Sequence, residues 1–358
     1  MPPGTVMDSE IRPPGEASSL LLPRTKEHMR GACRILTGPP VMKRVGPAYY
    51  LPHREEGNWG LFDAQDAPVE LAVERGFADM VPLRQIPEST TRYAAIEAQL
   101  PSDSEYIYGG RFVHHFGHFL IETLARFWPF TEGFRPDQRI VMHGDGDPDQ
   151  WFALRHVREL FGALGLRREA IVHADAPFRI DTILVTEPAF RPQAQGYPDF
   201  VRFCRQLGAR LMEAAPPPPR LDRPVYLTKS GLAAGVARWQ NEAELEAALQ
   251  RRGFAIIHPQ DLTLAEHLRL YASGATICGV IGSAHHVSLF APAPVRFKLL
   301  APERLNANFF LIDDLTGNDS TYHFAQGTHN VPNTGAPFIV ERVIPEPEQV
   351  ADALCAVL

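Results

Sequence analysis

Residues 276–290 read Thr276-Ile277-Cys278-Gly279-Val280-Ile281-Gly282-Ser283-Ala284-His285-His286-Val287-Ser288-Leu289-Phe290. The apolar run 277–281 predicts a strand that breaks at Gly282, and the small-residue turn Gly282-Ser283-Ala284 opens a helix carrying Val287 and Phe290 inward. Strand, tight glycine turn and helix start together bring free backbone N–H groups and the positive end of a helix dipole to one point, a seat for a diphosphate. His285 and His286 stand in the predicted first turn, within reach of phosphate oxygens or a sugar. Taken alone, the pattern is equally that of an ordinary strand-to-helix turn in an α/β sheet. Its meaning therefore depends on the surrounding chain.

That surrounding chain alternates. Residues 225–228, 254–258 and 295–300 predict further strands. Asn241 with Glu244, and Thr263 with Glu266, are spaced as capping boxes. The helices behind them carry Leu245 and Leu249 on one inner face, and Leu264, Leu268 and Tyr271 on the other. Strands separated by single helices predict a Rossmann-like sheet that binds ligands beyond the carboxyl ends of its strands. Upstream, residues 106–108 (ending at Gly109-Gly110), 139–142, 170–172 and 182–185 read as strands, and residues 117–129, 149–164 and 198–214 as helices. Ala48-Tyr49-Tyr50-Leu51 is a strand within a less regular region. Pro216-Pro217-Pro218-Pro219 fits neither a helix nor a central strand and predicts a stiff spacer. The expected organisation is a flexible lead-in over 1–27, an α/β domain over 28–215, a Pro-rich linker over 216–223, a Rossmann-like domain over 224–345 and a final helix over 346–358.

At 358 residues the chain is long enough for two cores. Apolar content of 45% and charged content of 22% describe an ordinary globular protein. A net charge of −7 argues against a nucleic-acid partner. Cys33, Cys204, Cys278 and Cys355 are widely separated, with no CxxC, and read as reduced thiols. No signal-peptide pattern opens the sequence and no run approaches a membrane span. A cytoplasmic location is expected, with peripheral membrane association left open.

Two constellations carry chemistry besides the opening turn. His118 and Glu122 are four apart, so on a helix they share a face distinct from that of Leu120 and Leu124. A histidine oriented by a carboxylate is a general base at neutral pH, although the same pair also serves as ordinary surface or capping groups. His114, His118 and Glu122 together make a rival metal set, weakened by Gly117 and by the absence of HExxH. Asp145-Gly146-Asp147 has the form of a metal-holding DxD, but Asp147 and Asp149 fit turn and N-cap roles better. Lys229, just past the strand 225–228, and Arg238, in the loop that follows, are aimed at the same crevice as Gly282, where cations would neutralise a departing diphosphate.

These residues resemble glycosyltransferase family 61, particularly its bacterial members linked to capsular and other extracellular polysaccharides. The resemblance runs from about residue 106 to about 302. It is carried by Gly117-His118-Phe119-Leu120-Ile121-Glu122-Thr123-Leu124-Ala125-Arg126, and by Tyr226-Leu227-Thr228-Lys229 with Arg238-Trp239-Gln240-Asn241-Glu242. Leu262-Thr263-Leu264-Ala265-Glu266-His267 and Gly282-Ser283-Ala284-His285-His286 with Leu289-Phe290 complete it. Lys229 stands where the family has Arg, which forgoes bidentate phosphate binding but keeps the charge, and His267 stands where it has Gln. The resemblance implies a GT-B architecture, two Rossmann-like domains facing across a cleft, and inverting transfer without a metal or cofactor. His118 and Glu122 are then the expected catalytic pair. Lys229, Arg238, Asn241, Glu242, Gly282, Ser283, Ala284, His285 and His286 are the expected donor-binding set. The expected partners are a nucleotide sugar, taken as UDP-linked, and a glycan or lipid-linked acceptor. Two alternatives stand beside this: a non-catalytic sugar-nucleotide or glycan-binding protein, and a metal-dependent hydrolase using His114, His118 and Glu122.

Overall fold

A computed structural model describes residues 20–54, 58–76, 93–213, 221–232, 237–332 and 340–358. Most of the expected lead-in and the whole of the Pro216–Pro219 spacer lie outside these residues. Two largely parallel sheets organise the rest. In the first, the strand order is Met42–Val45, Ile183–Thr186, Glu105–Arg111, Gln138–His143, Ile171–Val172, with only Met42–Val45 antiparallel to its neighbour. The chain order reverses between Glu105–Arg111 and Ile183–Thr186. In the second, the order is Ala255–Ile257, Val225–Leu227, Ile277–Val280, Arg296–Leu300, Asp319–Ala325, Leu21–Arg24. Its first five strands are parallel and the last is antiparallel. Here the reversal falls between Val225–Leu227 and Ile277–Val280. In sheets of this kind ligands bind beyond the carboxyl ends of the strands at such a reversal.

Burial explains why these segments become strands and why each sheet is covered on both faces. Tyr108, Val141, Ile183 and Val185 of the first sheet share a core with Tyr50 of a small sheet formed by Ala48–Leu51, Gly60–Phe62 and Phe178–Ile180. Tyr226, Leu245, Leu249, Cys278, Leu300 and Leu354 cover the outer face of the second. The final helix, Pro347–Ala356, lies on the helix Glu242–Arg251, with Arg252 paired to Asp352 at 2.8 Å. The largest cluster joins the two halves. It holds Phe119, Leu120 and Leu124 from the first half, Phe200, Phe203 and Leu207 of the helix Pro198–Glu213, and Val287, Phe290 and Phe297 from the second.

Several local expectations are corrected. Residues 21–24, placed in the lead-in, form the edge strand of the second sheet, with Leu21 buried opposite Ala325. The single helix expected over 117–129 is a composite: an α-turn Phe116–His118, a π-turn Phe119–Thr123 and two 3₁₀ turns, Leu124–Arg126 and Trp128–Phe130. The helix expected over 149–164 is broken at Leu154 into Pro148–Ala153 and Arg155–Leu164. Gly109-Gly110 does not end its strand; a register shift there carries the strand on to Arg111. Thr263 and Glu266 do form their capping box. Asn241 does not: its side chain is drawn to the backbone of Ile344, donating to the carbonyl at 2.8 Å and accepting from the N–H at 2.9 Å.

Candidate functional site

The chain leaves the carboxyl end of Glu105–Arg111 and enters the π-turn. The apolar spacing buries Phe119, Leu120 and Leu124 completely, which turns His118 and Glu122 to the other side. π-turns widen the helix locally and recur at functional sites. The Nδ1 nitrogen of His118 is hydrogen-bonded to Oε1 of Glu122. With the carboxylate as acceptor the proton sits on Nδ1, and Nε2 carries the basic lone pair. The bond to Glu122 raises the His118 pKa above its ordinary value, against a smaller opposing effect of burial.

These two side chains line a cavity of about 330 Å³ at the strand-order reversal of the first sheet, a size suited to a small ligand. Glu74, Arg111, Arg126 and Arg191 also line it. Arg111 Nε lies 3.1 Å from Glu74 Oε1, and burial raises the Glu74 pKa despite that pairing. Arg126 is buried and donates to the carbonyls of Leu71, at 2.7 Å, and Thr186. Its guanidinium also lies over the Tyr108 ring, 5.3 Å from the centroid. Of these four residues only Arg126 belonged to a segment singled out from the sequence. Arg111 could have been found, because it lies just past a predicted strand, on the ligand-binding side. Glu74 and Arg191 come from segments with no readable periodicity.

The second group gathers at the reversal of the second sheet. Lys229 follows Val225–Leu227, and its ammonium donates to the carbonyl of Ile281. Burial lowers its pKa to about 8, against the raising effect of Glu242. Glu242 is itself buried, and it accepts from the Lys229 backbone N–H and the Tyr226 hydroxyl, both at 3.1 Å. Burial raises the Glu242 pKa. A Cβ at position 282 would stand 2.3 Å from Lys229 Cε, so the lysine can lie across the turn only because residue 282 is glycine. The carbonyl of Ala284 accepts from the Tyr271 hydroxyl at 2.8 Å.

Other members of the expected donor set are drawn into contacts of their own. The expected helix after Gly282 is a 3₁₀ segment of six residues, His285–Phe290, whose aligned dipoles are fewer than an α-helix would offer. Its tighter winding turns His285 inward, where Nε2 meets Asp313 Oδ1 at 2.8 Å and the Tyr322 hydroxyl at 3.2 Å. Arg238 lies in the strand Ala237–Trp239, paired in register with Glu341, and not in a loop. Asn241 is occupied with Ile344. His286 is buried and its pKa falls well below the ordinary value, mainly through burial and then through the neighbouring charges of His285 and His118.

The two groups touch. A Cβ on Gly117 would stand 2.4 Å from Ser283 Oγ and 3.6 Å from His286 Cδ2. The loops leaving the carboxyl ends of the two sheets therefore meet there, with His118 on one side and the Lys229–Gly282 group on the other. The cavity beside Lys229, Gly282 and Ala284 is only about 20 Å³.

The rival metal sets are not assembled. His114 stands edge-on to Phe112 at 5.0 Å. Asp145 is bonded to His53 at 2.8 Å, and Asp147 caps the Asp149 N–H at 2.7 Å. Among the described residues no three His, Cys, Asp or Glu side chains gather as a metal site.

Residues 116–297, just over half of the chain, match the family described as Glycosyltransferase 61. The match begins at the turn that carries His118 and ends in the strand Arg296–Leu300. No curated protein matches the chain.

Proposed function

The chain belongs to glycosyltransferase family 61 and is a glycosyltransferase; on that premise we propose that it transfers a sugar, with inversion and without a metal, from a nucleotide sugar to a hydroxyl of a glycan or lipid-linked acceptor. The observation that carries this reading is the meeting of the two carboxyl-end loops at Gly117 and Ser283, with a His–Glu pair on one side of the contact and a half-buried cation on the other. The halves act in the GT-B manner, acceptor in the 330 Å³ cavity and donor at the Gly282-Ser283-Ala284 turn. The 20 Å³ space at that turn cannot hold a nucleoside diphosphate, so the donor is admitted by parting Gly117 from Ser283.

Nε2 of His118 takes the proton of the acceptor hydroxyl as its oxygen attacks the anomeric carbon. The bond from that carbon to the diphosphate oxygen breaks on the opposite face. The Lys229 ammonium, released from the Ile281 carbonyl, meets the charge that develops on the leaving group. With only a six-residue 3₁₀ segment behind the turn, the lysine bears more of that charge than a helix dipole does. A UDP-linked donor, action in the cytoplasm and a role in extracellular or capsular polysaccharide synthesis complete the reading.

The test begins with nucleoside diphosphates and nucleotide sugars, UDP-linked ones first, screened for thermal stabilisation in excess chelator, since a ligand of the native state raises its melting point. With the donor so found, His118→Ala should keep donor affinity and lower single-turnover transfer by roughly a hundred- to ten-thousandfold. Normal transfer by His118→Ala, or activity abolished by chelator and restored by Mn²⁺, would overturn the reading.

A further inference from the structure

Over residues 28–54 the chain has no acidic residue and carries Arg30, Arg34, Lys43, Arg44 and Arg54, although its formal net charge is −7. The same stretch holds nearly all the exposed large apolar side chains. Among the described residues these are Ile35 (40% exposed), Val41 (52%), Met42 (47%) and Leu358 (47%). Single exposed apolar residues need no explanation; three of four within a basic, acid-free stretch do.

The placement of this stretch adds a second argument. Arg34–Ile35 pairs in parallel with Gln195–Gly196, and the Leu36 N–H donates to the Gly196 carbonyl at 3.0 Å. At the other end, the Val41 N–H donates to Glu187 Oε2 at 3.1 Å, and the Glu187 N–H donates to the Val41 carbonyl at 2.8 Å. Both ends of the loop 36–41 are thus tied to residues 187–196, and Pro188, Phe190, Arg191 and Pro192 of that segment line the 330 Å³ cavity.

We propose that residues 34–44 form a docking surface for an anionic lipid membrane. Ile35, Val41 and Met42 enter the headgroup region while Arg34, Lys43 and Arg44, all exposed, face lipid phosphates. Arg44 shares its charge with Glu105 at 2.8 Å and Arg34 is also engaged within the chain, so Lys43 is the better residue for a charge test. Amphipathic surfaces bind through apolar insertion together with attraction to anionic lipid. Among the described residues no helix is long and apolar enough to cross a membrane, and surface docking requires none. One corollary, that docking brings the cavity to a membrane-anchored acceptor, rests on the transfer reading; the docking itself does not.

The experiment is co-sedimentation of the full chain with phosphatidylglycerol or phosphatidylcholine vesicles, which needs no turnover. The chain should prefer phosphatidylglycerol, and less so as salt is raised. Lys43→Gln should lower partitioning roughly fivefold, at about 1 kcal/mol for one basic residue near the surface, and Arg34→Gln with Lys43→Gln should lower it further. Val41→Ser with Met42→Ser should weaken it with every charge retained. No preference for anionic vesicles, or unchanged binding by both double variants, would overturn the proposal. So would a dimer in solution that Val41→Ser with Met42→Ser dissociates while vesicle binding persists, which would give the surface to a second copy of the chain. Vesicle binding intact in a protein that fails every transfer assay would sink the transfer reading alone.

Discussion

The contact between Gly117 and Ser283 makes a sign-changing prediction. In Gly117→Ala the new methyl would meet Ser283 Oγ at 2.4 Å and Ser283 Cβ at 3.0 Å. The first distance is roughly 1 Å inside the ~3.5 Å optimum for heavy atoms. Overpacking of this kind costs about 1–3 kcal/mol. Against it stands the better helix propensity of alanine, at most about 1 kcal/mol in so short a turn. The net effect of the single substitution should be a destabilisation of about 0–3 kcal/mol. Ser283→Gly removes both clashing atoms and leaves His286 Cδ2 at 3.6 Å, an ordinary contact. By itself it should destabilise by up to about 1 kcal/mol through added backbone freedom. In that background Gly117→Ala should become neutral or stabilising. Urea unfolding of the wild type, both single variants and the double variant measures the coupling directly. A coupling of about 1–3 kcal/mol is expected. A value below about 0.5 kcal/mol would mean that the two carboxyl-end loops do not touch in solution, and the proposed juxtaposition of His118 with the donor turn would lose its basis.

Two further expectations concern protons. If His118 is the base, transfer should rise with pH through a His118 pKa held above its ordinary value by Glu122, and fall again as Lys229 loses its proton near pH 8. Glu122→Gln should move the acid limb to lower pH, and Lys229→Arg should remove the alkaline limb; a kcat/KM profile in which neither limb moves refutes both assignments. The second concerns acid stability. Burial lowers the His156 and His267 pKa values to about 4 and holds those of His143 and His286 well below the ordinary value. Below about pH 6.5 the unfolded chain binds protons that the folded one refuses, so stability falls as pH drops toward 4, by up to about 1.4 kcal/mol per pH unit for each such histidine. Urea midpoints across that window should show a shallower loss for His267→Gln; an unchanged slope would mean that His267 is protonated in the folded protein.

How much of this could be read from the sequence depended on the range of the interaction. Strands announced by continuous apolar runs, such as 277–281 and 139–142, form close to where they were expected, because burial on both faces of a parallel sheet demands such runs. His118 and Glu122 come together although the expected α-helix is a π-turn, since residues four apart remain neighbours in either winding. Asn241 had the local spacing of a cap, yet its amide is taken by Ile344, 103 residues away, and no local pattern could reveal that. The cavity's Glu74, Arg111 and Arg191 come from three separated segments, joined only when the strand order is known.

Lys229 shows the same limit on a residue that the sequence did single out. The replacement of Arg by Lys looked like a loss of phosphate-binding geometry. In the fold, the side chain runs across the face of Gly282 to a single carbonyl acceptor, that of Ile281, beside a cavity of about 20 Å³. A guanidinium brings five N–H donors, and this space would leave most of them buried without partners, each at a cost of about 1–3 kcal/mol. An ammonium needs less room and fewer acceptors, and at a pKa of about 8 it is still mostly charged at neutral pH. The glycine and the lysine therefore depend on each other. Any side chain at 282 would displace the lysine from the turn, and an arginine at 229 would require the turn to open before a donor arrives.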